Sequence, residues 1–200
     1  QVCISPNRFY IQESKKDEFV NLFIEKTKKL KIGNGMDPST QLGPLTTKKR
    51  LNEIEELVEK TKQEGAKVLL GGKKPAGFNK GFFYEPTVFD HVKDDFTIMK
   101  QEPFGPLVPM LSFKSFDEVI ERANNHELGL SSYICTNSME KAHKASELME
   151  TGTVAVNTPL VAIAEAPFGG IKQAGYGREG GSMAIKDYLN VKYTHLGLKG

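Results

Sequence analysis

From Leu107 to Asn157 short apolar runs alternate with amphipathic stretches of about ten residues, and no other feature restricts the fold as strongly. Leu107–Phe113, Ser131–Thr136 and Thr153–Asn157 read as strands, separated by helical patterns over Ser115–Asn125 and Ser138–Glu150. Strands alternating with helices of this length make βαβ units, so the fold class is α/β, a mainly parallel sheet flanked by helices. Ligands of such sheets gather beyond the carboxyl ends of the strands. Chemistry is therefore sought first after Phe113, Thr136 and Asn157.

Upstream the pattern is looser. Phe9–Ile11 reads as a short strand, and Ser14 stands where a helix cap belongs. Phe19, Val20, Phe23, Ile24 and Leu30 follow at helical spacing, with a lysine-rich opposite face that reads as solvated. Gly, Asn and Pro punctuate 32–45 too often for regular structure. Thr46 or Thr47 opens a second helix to about Glu64, with Leu51, Ile54, Leu57 and Val58 facing inward and Gly65 ending it. Val68–Leu70 is a strand, and Phe82–Tyr84 and Thr87–Phe89 are extended on either side of Pro86. A glycine-rich loop over 165–181, a short helix Ser182–Leu189 and an alternating strand Val191–Leu196 complete the chain.

Charge and composition exclude several classes of function. Lys+Arg 27 against Asp+Glu 25 leaves a net charge of +2 with no basic block, so nucleic acid is not the expected partner. No apolar run approaches the ~20 residues of a membrane helix, and no signal peptide is evident. Two distant cysteines, Cys3 and Cys135, suit a reducing compartment, and the expected location is cytoplasmic. Four histidines are scattered singly, without ligand spacing, so no metal is expected.

Few residues remain that could carry chemistry. Gly175–Gly180 matches G-x-G-x-x-G but follows a loop, without the strand and helix that give the motif its phosphate-binding mechanism. Cys135 lies in an apolar strand pattern and reads as a small buried hydrophobe. Cys3 lies in a polar, turn-rich segment ahead of a strand. There a thiol can be exposed and activated as thiolate, although composition alone favours a merely structural cysteine. The turn Gln101-Glu102-Pro103-Phe104-Gly105-Pro106 sets a carboxylate two residues from an aromatic on a constrained backbone. It reads either as a structural turn with an exposed acid or as an acceptor for hydroxyls such as a ribose diol.

Three segments taken together resemble one family. Gln1-Val2-Cys3-Ile4-Ser5-Pro6-Asn7-Arg8, the Gln101–Pro106 turn and Pro167-Phe168-Gly169-Gly170-Ile171-Lys172-Gln173-Ala174-Gly175-Tyr176-Gly177-Arg178-Glu179-Gly180 resemble the carboxy-terminal half of an NAD(P)-dependent aldehyde dehydrogenase. The resemblance covers essentially the whole chain. It implies that Cys3 is the nucleophile, forming a thiohemiacetal and then a thioester, with the oxyanion held by the cysteine's own N–H and an upstream Asn. It implies that Glu102 binds the hydroxyls of the nicotinamide ribose, that Phe104 packs beside the nicotinamide, and that Phe168 lines the substrate tunnel with the Thr158–Ala166 loop. NAD or NADP is the implied cofactor. Gln101 stands where an acid is common in the family, and Ala174 where Ser is common.

The same resemblance implies that the general-base Glu, the oxyanion Asn and the cofactor-binding domain precede this chain, so that the fragment alone is inactive. Residues 1–189 then form the catalytic domain and 190–200 an oligomerisation strand that extends a neighbour's sheet, making a homodimer or homotetramer of the full-length enzyme. The motifs are most similar to succinate-semialdehyde dehydrogenases, but the stretch Val161-Ala162-Ile163-Ala164 before Pro167 has no hydroxyl for a distal carboxylate and favours an uncharged aldehyde. Two rival readings stand beside this one. One is a non-catalytic assembly module that associates through the tail, and the other is a cysteine hydrolase, which requires a histidine beside Cys3.

Overall fold

The computed structural model describes residues 1–198. Within the 1–189 span expected as one domain, the chain forms two compact units, one up to Asn125 and one from His126 onward. The first contains a four-stranded sheet of β1 (Phe9–Gln12), β2 (Lys67–Leu70), β3 (Thr87–Asp90) and β4 (Leu107–Phe113), in the order β1-β4-β3-β2. β4 runs parallel to both of its neighbours, and only the edge strand β2 is antiparallel.

β4 owes its apolar character to helices on both faces of the sheet. Side chains alternate across a strand. Phe89, Leu107 and Leu111 join a core with Leu51, Ile54, Leu57 and Val58 of helix α2 (Lys48–Gln63) and with Ile98 and Met99 of the short helix α3 (Thr97–Lys100). Val88 and Met110 point the other way, into a second core with Val20 of helix α1 (Lys16–Lys28). Pro109, which would normally demote a central strand, stands where β4 hands over from β3, paired through Leu107–Pro109, to β1, paired from Met110. A last helix, α4 (Phe116–Asn124), opens on a capping box formed by Ser115 and Glu118.

The second unit is smaller. Strand β5 (Leu128–Gly129) pairs antiparallel with β8 (Ile171–Lys172). β6 (Ser131–Ile134) and β7 (Thr153–Val156) pair in parallel across helix α5 (Met139–Leu148), which Ser138 caps. The α/β class and the strand-helix alternation are as expected, although the strands are distributed over separate sheets.

Several local expectations are corrected. Ser14 caps nothing: the chain leaves β1 straight into a 3₁₀ turn over Glu13–Lys15, so Ser14 already lies inside a helical turn when α1 begins. α1 ends at Lys28, short of Leu30. Phe82–Tyr84, expected as extended chain, joins no sheet and makes a single bridge from Phe82 to Leu45. The helix expected over 182–189 is a 3₁₀ helix over Ala184–Tyr188. Residues 190–198 are exposed and pair with no strand among the described residues; the last two residues of the expected 190–200 strand lie outside the described residues. No helix among the described residues is long and apolar enough to cross a membrane.

Asp90 and Lys16 join the end of β3 to the start of α1 through a mostly buried ion pair of 2.5 Å. Burial raises the Asp90 pKa, but the hydrogen bond from Lys16, the His91 backbone N–H and the charge of Lys16 together outweigh it and hold the carboxyl below its ordinary value. A depressed carboxylate stabilises the fold above its unfolded pKa and loses that contribution as pH falls through the folded value. Asp90→Asn should therefore cost about 2 kcal/mol at neutral pH in urea unfolding, leaving Lys16 unpaired, and the gap to the parent should close in acid.

Candidate active site

Cys3 occupies a tight turn closed by the Ser5 N–H donating to the Val2 carbonyl at 3.0 Å, and its thiol is exposed and unbridged. Gln1 fastens the segment entering that turn. Its Oε1 accepts from the Thr46 N–H at 2.8 Å, and its Nε2 donates to the Thr46 Oγ1 at 3.3 Å. Thr46 directly precedes Thr47, whose hydroxyl caps α2 by accepting from the Arg50 N–H.

The Glu102 turn is fastened to the same helix. Arg50 donates from Nη1 to the Pro103 carbonyl at 3.2 Å. One turn further along, Ile54 lies beneath Gly105, where an added Cβ would come within 2.4 Å of its Cδ1. Phe104 between them has φ 44°, a left-handed backbone that costs a residue with a side chain roughly 1–3 kcal/mol. α3 leads into this turn and is held by Glu64, whose carboxylate accepts from the Thr97 N–H at 2.9 Å and the Thr97 hydroxyl at 2.6 Å. Burial pushes the Glu102 carboxyl above its ordinary value, and the charge of Arg50 only partly opposes this.

Both segments lead into parallel strands, and that brings them to one edge. Phe9 of β1 pairs with Met110 of β4, and Cys3 and Phe104 each lie six residues ahead of that pair. The site-bearing residues of the first unit thus stand at the amino ends of the strands. The carboxyl ends, where the general rule for parallel sheets directs the search, carry a cleft of about 400 Å³ lined by Lys16, His91, Lys93, Asp94, Ser112 and Arg122 among others. Its charges are largely engaged with one another. Arg122 pairs with Asp94 at 2.7 Å and Glu118 at 2.6 Å, and Tyr10 donates to Asp94 at 2.7 Å.

Phe168, Ala162 and Ile163 belong to the second unit. Phe168 is half-buried and exchanges two backbone hydrogen bonds of 2.7 Å with Glu179. Ala162 and Ile163 lie on an irregular loop and are exposed, with Leu160 64% and Ile163 48% accessible. That loop rests on glycine: the Gly181 N–H donates to the Ala164 carbonyl at 2.9 Å, and a Cβ at Gly180, which has φ 68°, would sit 2.8 Å from the Ala166 oxygen. The G-x-G-x-x-G stretch is occupied internally. Asp187 accepts from the Arg178 N–H at 2.9 Å and fills the space beside Gly177.

Cys135 is exposed, because β6 stops at Ile134 and leaves the thiol beyond its end; the expectation of a buried hydrophobe is corrected. No hydrogen bond or ion pair joins Cys3 to a histidine among the described residues, and no group of three metal-ligating side chains lies together among them. The Gln1–Thr46 tether and the Arg50 contact to Pro103 escaped the sequence reading. Their only local signal was the helix start at Thr46–Thr47.

The family model described as the aldehyde dehydrogenase family matches residues 1–194. Retinal dehydrogenase 2 of Gallus gallus is 45% identical over 192 residues, which cover 96% of this chain and 37% of that protein. Among solved structures, the NAD+ complex of an aldehyde dehydrogenase from Bacillus cereus superposes with a TM-score of 0.93 at 40% identity, covering 96% of this chain and 39% of that one. Succinate-semialdehyde dehydrogenase from Burkholderia pseudomallei superposes with a TM-score of 0.90 at 37% identity, covering 94% and 39%. The chain spans a little under two fifths of the length of these relatives. A match over nearly every residue, joined to the same architecture in solved relatives, makes this chain a member of the aldehyde dehydrogenase family.

Proposed function

We propose that this chain is the nucleophile-bearing part of an enzyme that oxidises an aldehyde to its carboxylic acid, with NAD or NADP as hydride acceptor. The observation that carries the reading is Cys3, an exposed thiol in a closed turn within the span matched to the family. As thiolate, Cys3 attacks the aldehyde carbon. A C–S bond forms, the carbonyl electron pair moves to oxygen, and a thiohemiacetal results. Loss of hydride from that carbon leaves a thioester on Cys3, which water hydrolyses to release the acid and return the thiol. The turn's own hydrogen bond uses the Ser5 N–H, which leaves the Cys3 N–H to donate to the developing oxyanion.

The bound nicotinamide supplies the hydride acceptor. Glu102 suits its ribose: the carboxylate is half-buried, and no donor among the described residues is bonded to it, so it retains acceptor capacity for two hydroxyls. Phe104 offers an aromatic face two residues away, on a backbone whose strain is a hallmark of functional turns. The general base and the rest of the cofactor site belong, in this reading, to a preceding cofactor-binding domain of the full-length enzyme. A cytoplasmic location is part of the same reading, supported by the two unbridged thiols.

The substrate is best read as an uncharged, apolar aldehyde. Leu160, Val161, Ala162 and Ile163 bring aliphatic side chains and no hydroxyl or charge to the loop, and the similarity to a retinal dehydrogenase supports the same class. Succinate semialdehyde, named for the Burkholderia relative, is the second reading. The tail from Asn190 supports assembly. Val191 and Tyr193 are 103% and 84% accessible, alternating along an exposed segment that can add to the sheet edge of another copy of the chain.

In the full-length protein, Cys3→Ser should lower NAD(P)H formation from a medium-chain aldehyde roughly a thousandfold or more, and undiminished turnover would refute the mechanism. The parent should show a higher kcat/KM for that aldehyde than for succinate semialdehyde. Glu102→Gln should raise the KM for the cofactor about tenfold. Because burial lifts the Glu102 pKa, the charged acceptor is lost as pH falls at values above the ordinary carboxylate range; the parent's cofactor KM should rise there while that of the Gln variant stays flat. Deleting residues 190–200 should reduce the sedimentation coefficient of the full-length enzyme, and an unchanged value would remove the role assigned to the tail.

A further inference from the structure

The two hydrogen bonds between Gln1 and Thr46 cross 45 positions of sequence and end two residues before Cys3. A carboxamide is suited to this junction, since its oxygen takes the backbone N–H of Thr46 while its nitrogen gives to the hydroxyl. Thr46 itself has little freedom, because Thr47 caps α2 and the inward face of that helix is buried against the sheet. On the far side of the thiol the chain is tied again. Arg8 donates from Nη2 to the Ala123 carbonyl at 2.9 Å, just before β1 begins. Cys3 therefore lies between two tied residues, Gln1 and Arg8, and the Gln1 tether leads to the start of α2. The same helix holds the Glu102 turn through Arg50 and Ile54, so one rigid element sets the position of both segments.

We propose that Gln1 is a positioning residue for the Cys3 thiol, its carboxamide locking the entry to the nucleophile turn onto the amino end of α2. The proposal rests on the reading of Cys3 as nucleophile for its catalytic consequence, but not for its effect on the thiol. Without the clamp the turn drifts relative to the Glu102 turn. A displacement on the order of an ångström is enough to lower the rate of attack while leaving aldehyde binding in place. Gln1 touches neither substrate nor cofactor in this scheme. It acts only through the backbone that carries Cys3.

The test compares Gln1→Ala, Gln1→Glu and Thr46→Val in the full-length enzyme by two readouts, steady-state kinetics and the rate of Cys3 alkylation by iodoacetamide, followed by peptide mass. Gln1→Ala should lower kcat about tenfold with little change in the aldehyde KM, and should shift the alkylation rate of Cys3 but not that of Cys135. Gln1→Glu keeps an acceptor for the Thr46 N–H and can accept from the hydroxyl, so it should restore activity to within about threefold of the parent. Thr46→Val removes only the longer contact and should fall between the two. Parent-like kinetics and alkylation in Gln1→Ala would overturn the proposal. So would equal losses in the Ala and Glu variants accompanied by a lowered melting temperature, since that pattern marks a general structural role. If Cys3→Ser retains activity while Gln1→Ala still changes Cys3 alkylation, the nucleophile reading fails and the clamp stands.

Discussion

β4 is the constraint on which the first unit depends. Its seven residues pair with β3 over the first part and β1 over the second, while its two faces feed separate cores beneath α2 and above α1. A strand covered on both sides and paired on both edges has no alternative register that keeps its apolar side chains out of water. Once β4 is set, the parallel course of β1 follows, and the segments that precede both strands must arrive at the same edge of the sheet.

This geometry also explains why the candidate residues lie where they do. The general rule for parallel sheets looks beyond the carboxyl ends of the strands, and there the structure has a cleft of mutually engaged charges. Cys3 and the Glu102 turn instead stand at the amino ends, supported from one side by α2. A helix with a capped first turn and four buried aliphatic positions is a stiff reference against which two loops can be held. Thr46, Arg50 and Ile54 are the points at which that stiffness reaches the loops.

What was legible in the sequence follows from range. Leu51, Ile54, Leu57 and Val58 announce α2 because helical spacing is local, and the Thr46–Thr47 start announces its cap for the same reason. Ser14 misled because a 3₁₀ turn leaves no mark distinct from a helix start. Cys135 misled because an apolar pattern does not say at which residue a strand stops. The insertion of β4 between β1 and β3, the Gln1 clamp and the Arg50 contact join residues between 20 and 101 positions apart, and no local spacing encodes such pairs. The motif residues Cys3, Glu102 and Phe104 were recognisable by type and order, but their common support on α2 was not.

Phe104 carries one more consequence. Its left-handed backbone is a conformation that glycine adopts freely and a bulky residue resists, so a chain ranked by thermal stability alone would exchange this phenylalanine for glycine. The exchange would remove the aromatic ring that stands two residues from Glu102. Directed evolution toward heat resistance and directed evolution toward turnover should therefore part ways at this position, and libraries built for one goal will discard the winners of the other.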